Sequence, residues 1–228
     1  MAGATRRSQR REETVAEIRA LAFEQVVAGG PDAVSLNAIA GEMGMSPAAI
    51  YRYFTNRDAL LADLVVSFYD SLADALEAAA DGFPAVARAY REWALANPNG
   101  YRLIFQTTSG SGIDLAPERT IPAATRSMVV ILGALAGGPG LPVDGPLAAE
   151  VRDWAARSGL PQLPEGVLAI GLRCWTRLHG VVSLELGHHL TSTGVDPALL
   201  YESEIEALAA TLAGPLTGSS RALYRSGP

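Results

Sequence analysis

Ser35 to Phe54 reads SLNAIAGEMGMSPAAIYRYF, with small, apolar and capping residues where two short helices crossing at a sharp turn need them. The hydroxyl of Ser35 suits a helix cap, and Leu36, Ile39, Ala40 and Met43 recur at three- and four-residue spacing, giving the first helix one apolar face. Gly44 follows the last of them and takes the left-handed conformation without a Cβ clash. Ser46 and Pro47 then supply a cap and a residue pre-set for a first helical turn. Ala40 at the crossing, Gly44 in the turn and Ile50 as an aliphatic plug are in register for a helix-turn-helix, with an ordinary helical hairpin as the plainer alternative.

The residues outside the plug separate these readings. Ala48, Ala49, Tyr51, Arg52, Tyr53, Asn56 and Arg57 are small, aromatic-hydroxyl, amide or cationic, and no carboxylate lies between Pro47 and Asp58. Small residues let a recognition helix approach base edges, and hydroxyls, Arg and a helix start can hold phosphates. The candidate DNA-binding residues are therefore Ser35, Ser46, Pro47, Ala48, Ala49, Tyr51, Arg52, Tyr53 and Arg57, with Arg10 and Arg11 from the stretch before the first helix.

AAIYRYFTNRDALLADLV resembles the end of the DNA-binding region of TetR-family (tetracycline-repressor-like) regulators and the start of the long helix that follows it. Tyr51, Tyr53, Phe54, Arg57, Asp58 and Leu60 stand in the family's order, with Arg57 where Lys is commoner, and the resemblance covers roughly residues 12 to 66. The motif and the Arg-rich stretch before the first helix lead us to expect a dimer on near-palindromic operator DNA, with two recognition helices about 34 to 36 Å apart. WTRLHGVVSLEL, with Trp175, His179 and Gly180, is similar to a C-terminal variant within that family that carries Trp, His and Gly at this spacing.

Composition agrees with a folded regulator. The chain has 228 residues, 49% of them hydrophobic, with positive mean hydropathy. The N-terminus MAGATRRSQRREE lacks the apolar segment of a signal peptide, and the longest apolar run, Met128 to Ala136, is too short to cross a bilayer. A cytoplasmic protein with no membrane association is expected, and the single Cys174 fits a reducing compartment. The net charge of -6 argues against a polyanion partner only until it is divided. Residues 1–60 carry seven Arg against seven acids, and the remaining residues carry eleven against seventeen. Arg6, Arg7, Arg10 and Arg11 cluster before the first helix, as a flexible DNA-following arm or a solvated tail would. All 18 basic residues are Arg.

The expected fold is all-α: an arm and three-helix DNA-binding domain over residues 1–57, then a helical effector-binding and dimerisation domain over 58–228. Apolar spacing predicts a first helix over 12–28, with Gly29-Gly30-Pro31 stopping it, and a long helix over 58–81 joining the domains as a switch element. Further helices are expected at 84–96, 98–107, 119–136, 146–158, 164–190 and 197–213. The last two present broad apolar surface and read as a homodimer interface, with Val182 and Leu208 among its residues. Trp93, Tyr101, Phe105, Met128, Trp175 and His179 are the expected lining of a pocket for a small, largely apolar effector. A solid core there, and a satisfied core role for His179, are the bland alternatives.

No cofactor, metal or catalysis is expected. Cys174, His179, His188 and His189 lack the pairing of a zinc site. The SGSG at Ser109 to Gly112 lacks the strand and helix of a nucleophile elbow. Without Lys there is no phosphate loop of the Gly-Lys type. The expected function is a DNA-binding repressor released by a ligand. A regulator answering to a protein partner or to nothing, and a helical dimer with a vestigial motif, are the alternatives.

Overall fold

The computed structural model describes residues 2–79, 81–106, 115–138, 140, 142–160 and 163–212, with residues 2–5 as backbone only. The SGSG stretch from Ser109 to Gly112, and the expected helix ends at 107 and 213, lie outside the described residues.

Among the described residues there are ten α-helices and no strand. They are α1 (Ala2–Gly29), α2 (Leu36–Glu42), α3 (Pro47–Ile50), α4 (Arg57–Ala78), α5 (Phe83–Ala96), α6 (Pro98–Phe105), α7 (Pro117–Leu135), α8 (Pro146–Arg157), α9 (Glu165–Leu186) and α10 (Pro197–Leu212). Local chemistry sets many boundaries. Pro opens α3, α6 and α8, where a missing N–H costs nothing. The Ala59 amide donates to Asn56 Oδ1 at 2.8 Å, capping α4.

Two helices depart from their expected extents. α1 begins at Ala2, so the Arg-rich stretch expected as a flexible arm is helical. Arg, Ala, Gln and Glu are strong helix formers, and the Ser8 hydroxyl donates to Glu12 one turn on at 3.0 Å. α9 ends at Leu186 rather than continuing to 190. His188 there takes the left-handed conformation (φ 58), and the His189 amide donates to the Leu184 carbonyl at 2.9 Å. That closure ordinarily advertises itself with Gly at the left-handed position, and here the residue is His.

The helices form two compact units, Met1–Ala78 with Glu92–Ser127, and Ala79–Arg91 with Met128–Pro228. The chain therefore passes to the second unit after α4, back to the first inside α5 and to the second again inside α7. α4, expected to join two domains, lies wholly in the first unit. The core there is built from Ile18, Ala22 and Val26 of α1, Ile39 and Ile50 of the helix-turn-helix, and Leu60, Leu64, Phe68 and Leu72 of α4. Gly100 of α6 sits on the Phe68 ring, and a Cβ there would lie 2.3 Å from it, so only Gly allows this approach. In the second unit Gly171 of α9 does the same for Leu132 of α7, at 2.4 Å.

Candidate nucleic-acid interface

The helix-turn-helix is held by the residues that predict it. The Ala38 amide donates to Ser35 Oγ at 3.3 Å, capping α2. Gly44 takes φ 65, and the Met45 amide reaches back to the Ala40 carbonyl at 2.8 Å, closing the end of α2. Ala40 and Ile50 are fully buried. Ser46 occupies the cap position of α3 but makes no side-chain cap bond. α3 is one turn long and tightens into i→i−3 bonds from Arg52 and Tyr53, after which the buried Phe54 anchors its end.

The recognition surface is assembled around that turn. Ser46, Pro47, Ala48, Tyr51 and Arg52 are exposed, Tyr51 at 47%, while Ser35, Ala49, Tyr53 and Arg57 are half-buried. Arg10, Arg11, Ala49, Arg52 and Tyr53 line one open cleft of about 730 Å³. Its other lining residues are Arg7, Ser8, Thr14 and Met45. Arg7, Arg11 and Thr14 fall one helical turn apart, a spacing visible in the sequence once the helix is extended through it. The guanidinium of Arg11 donates to the Arg52 carbonyl at 3.2 Å and lies 5.2 Å from the centre of the Tyr53 ring.

Arg57 is placed differently from a phosphate contact. It donates through Nη2 to the Pro31 carbonyl at 2.5 Å and through Nε to the Val34 carbonyl at 3.1 Å, with Asp32 at 3.6 Å. Its donors tie the start of α4 to the turn between α1 and α2. The positioning of the motif continues at Asp63, which is 5% exposed and pairs with Arg19 of α1 at 2.5 Å and with Arg119 of α7. Arg126 of α7 meets Asp74 and Glu77 of α4, both at 2.6 Å. These cations are neutralised by carboxylates, whereas among the described residues Arg7, Arg10, Arg11 and Arg52 make no ion pair.

The expected effector-lining residues do not come together. Trp93, Tyr101 and Phe105 belong to the first unit, where the Trp93 indole donates to Ser71 at 3.1 Å and Phe105 packs on Tyr101 and Tyr69. They fill its core, which aromatic composition alone could not distinguish from a pocket wall. In the second unit a void of about 10 Å³, room for one water, is lined by Phe83, Val86, Ala87, Tyr90, Ile131, Trp175 and Leu178. Trp175 is thus the one expected residue on that lining, and Met128 is not part of it. His179 lies behind Tyr90, whose hydroxyl is 3.0 Å from Nδ1, with Ser183 3.3 Å from Nε2. Burial holds the His179 pKa below its ordinary value. It also pushes the Cys174 thiol up to about 12, which leaves no reactive thiolate.

Val182 and Leu208, expected on a dimer face, are buried within the chain. Among the described residues of α9 and α10, the large apolar ones left outside are Leu184, 44% exposed, and Leu199, 70% exposed. Gly180 also lies on an open face, since a Cβ there would meet nothing within 4 Å.

Comparison with known proteins fits this geometry. Residues 18–64 match the family model of bacterial regulatory proteins, tetR family, and residues 83–208 match that of the tetracyclin repressor-like C-terminal domain. The chain is 30% identical over 226 residues to the HTH-type transcriptional regulators Rv1816 of Mycobacterium tuberculosis and Mb1846 of Mycobacterium bovis, covering 91% of this chain and 96% of each relative. The crystal structure of the regulatory protein SCO4313 is 41% identical, with a TM-score of 0.74 over 89% of this chain and 98% of that one. A protein of unknown function from Rhodococcus sp. RHA1, 24% identical with a TM-score of 0.64, shares the fold over 87% of this chain and 95% of its own. No helix among the described residues is long and apolar enough to cross a membrane.

Proposed function

The chain belongs to the TetR family of bacterial regulatory proteins, and from that premise we propose that it works as a homodimeric repressor released from operator DNA by a small, largely apolar ligand. Transcription regulators of this family bind DNA through the helix-turn-helix and are not enzymes. The proposed division of labour is DNA binding by residues 1–57, and effector binding and dimerisation by residues 58–228.

The observation that carries the ligand reading is the void lined by Phe83, Val86, Tyr90, Ile131 and Trp175. Its walls are apolar apart from the Tyr90 hydroxyl, and it lies where α5 and α7 lead by continuous helix to residues of the first unit. A void of this size takes a ligand only when its walls move apart, so ligand binding is coupled to displacement of α5, α7 or α9. Release follows if that displaced form holds the ligand more tightly than the DNA-bound form does.

The test is operator affinity, by fluorescence anisotropy on a duplex obtained by selection from random sequences, with and without apolar compounds that raise the melting temperature. Such compounds should weaken operator binding, and Ile131→Trp should abolish that response while DNA binding persists. Stabilising compounds that leave operator affinity unchanged would refute ligand control. For the dimer, Leu184 and Leu199 replace Val182 and Leu208 as probes, because a charge at a buried site unfolds the chain whatever its assembly. Leu184→Glu with Leu199→Glu should give a folded monomer by sedimentation. A folded wild-type monomer at micromolar concentration would overturn the dimer.

A further inference from the structure

We propose that the first turns of α1 form, with the recognition turn, one cleft that takes a phosphate strand of duplex DNA, and that Arg11 is the positioning residue holding its two walls together. This rests on the DNA-binding reading and adds to it a second wall, a fixed shape and a division of roles among the arginines.

Three observations carry it. The residues before Glu12 are helical, so Arg7 and Arg10 leave α1 in set directions. Three residues apart on the helix, they share one face. The cleft lining holds four arginines, Arg7, Arg10, Arg11 and Arg52, and no carboxylate. An anionic strand therefore meets uncompensated charge on both walls. Arg11 is occupied differently from the other three, since it donates across the cleft to the Arg52 carbonyl and covers the Tyr53 ring. A guanidinium so engaged fixes the angle between α1 and the recognition turn. Arg7 and Arg10 then reach the backbone in register with Arg52.

The experiment measures binding by full-length protein to a mixed-sequence duplex of about 30 base pairs, long enough for half-sites one turn apart, across a range of salt concentrations. Each phosphate contact contributes about 0.9 to the slope of log affinity against log salt. Arg7→Ala with Arg10→Ala should reduce the slope by about 1.8 per protomer engaged. Arg11→Ala should reduce it by more than the roughly 0.9 of a single contact, because loosened turns no longer deliver the other two side chains. Hydrogen exchange of residues 6–12 in the free protein should accelerate in Arg11→Ala, with the melting temperature of the whole chain retained. An unchanged slope in the double variant, with wild-type binding intact, would overturn the cleft alone. A single-contact loss in Arg11→Ala, with exchange unchanged, would make Arg11 a phosphate ligand and overturn its positioning role. A wild type that binds no duplex would overturn the DNA-binding reading and the cleft with it.

Discussion

The two units treat their arginines differently. In the second, Arg88 pairs with Glu202, Arg91 with Glu185, Arg152 with Glu165 and Arg177 with Glu204, so cations tie helix to helix. The first divides its arginines by location. Arg19, Arg119 and Arg126 are neutralised against α4, while the cations around the recognition turn are left without carboxylates. An overall charge of -6 conceals this. On the proposed reading the side that meets a polyanion is the one where Arg7, Arg10, Arg11 and Arg52 cluster without a carboxylate, because a neutralised arginine contributes little field at the surface.

The sharpest way to break the contrast is Asp63→Ala, which leaves Arg19 and Arg119 facing an empty site between α1, α4 and α7. Loss of one partner from a buried ionic cluster costs about 3 to 5 kcal/mol, and the half-exposed guanidinium groups reduce this to about 2 to 3. Urea unfolding should show that loss, and operator binding should fall with it. Gly171→Val tests the second unit alone. Its side chain would enter the space of Leu132, and overpacking of this kind costs about 1 to 3 kcal/mol. DNA affinity, measured where the variant is still folded, should stay near wild type.

Arg52→Ala should do the reverse, weakening binding by about 1 to 3 kcal/mol while stability shifts by less than about 0.5 kcal/mol. A comparable loss of stability would mean that Arg52 braces the fold, and the contrast between the two groups of arginines would fail. The smallest effect concerns pH. His179 in the folded chain resists protonation because it is buried against Tyr90, Ser183 and Trp175. The unfolded chain takes up that proton first, so stability should fall as pH drops below about 6.5. Glu202, held below the ordinary carboxylate value by Arg88, loses its contribution only at lower pH. Between pH 7.5 and 5.5, about the range in which His titrates, the difference in melting temperature between wild type and His179→Gln should be constant on the alkaline side, and wild type should fall relative to the variant on the acidic side.

The sequence made the helices legible because their signals are local. Ser35, Gly44, Asn56 and the helix-opening prolines act within four residues of themselves, and their elements lie where the spacing puts them. What stayed hidden depends on distant partners. Arg57 reads as a free cation until the carbonyls of Pro31 and Val34 are brought beneath it. Val182 and Leu208 read as sticky until neighbouring helices cover them. Trp93, Tyr101 and Trp175 share an apolar character, but only structure assigns the first two to one core and the third to another. Arg7 was legible as charge and illegible as site, since membership of the cleft requires α1 to extend through residue 7, ahead of its expected start at residue 12.

The recognition surface is built without lysine, and this limits how a cell can regulate it. A guanidinium remains protonated throughout the physiological range, and lysine acetylation, a common enzymatic means of discharging a basic surface, has no side chain here to act on. In the proposed cleft the charge that Arg7, Arg10 and Arg52 offer a phosphate strand is therefore removed neither by physiological pH nor by lysine acetylation. On that reading the spacing of the arginines is what remains to be adjusted, which places the burden of control on movement of helices rather than on discharge of lysines.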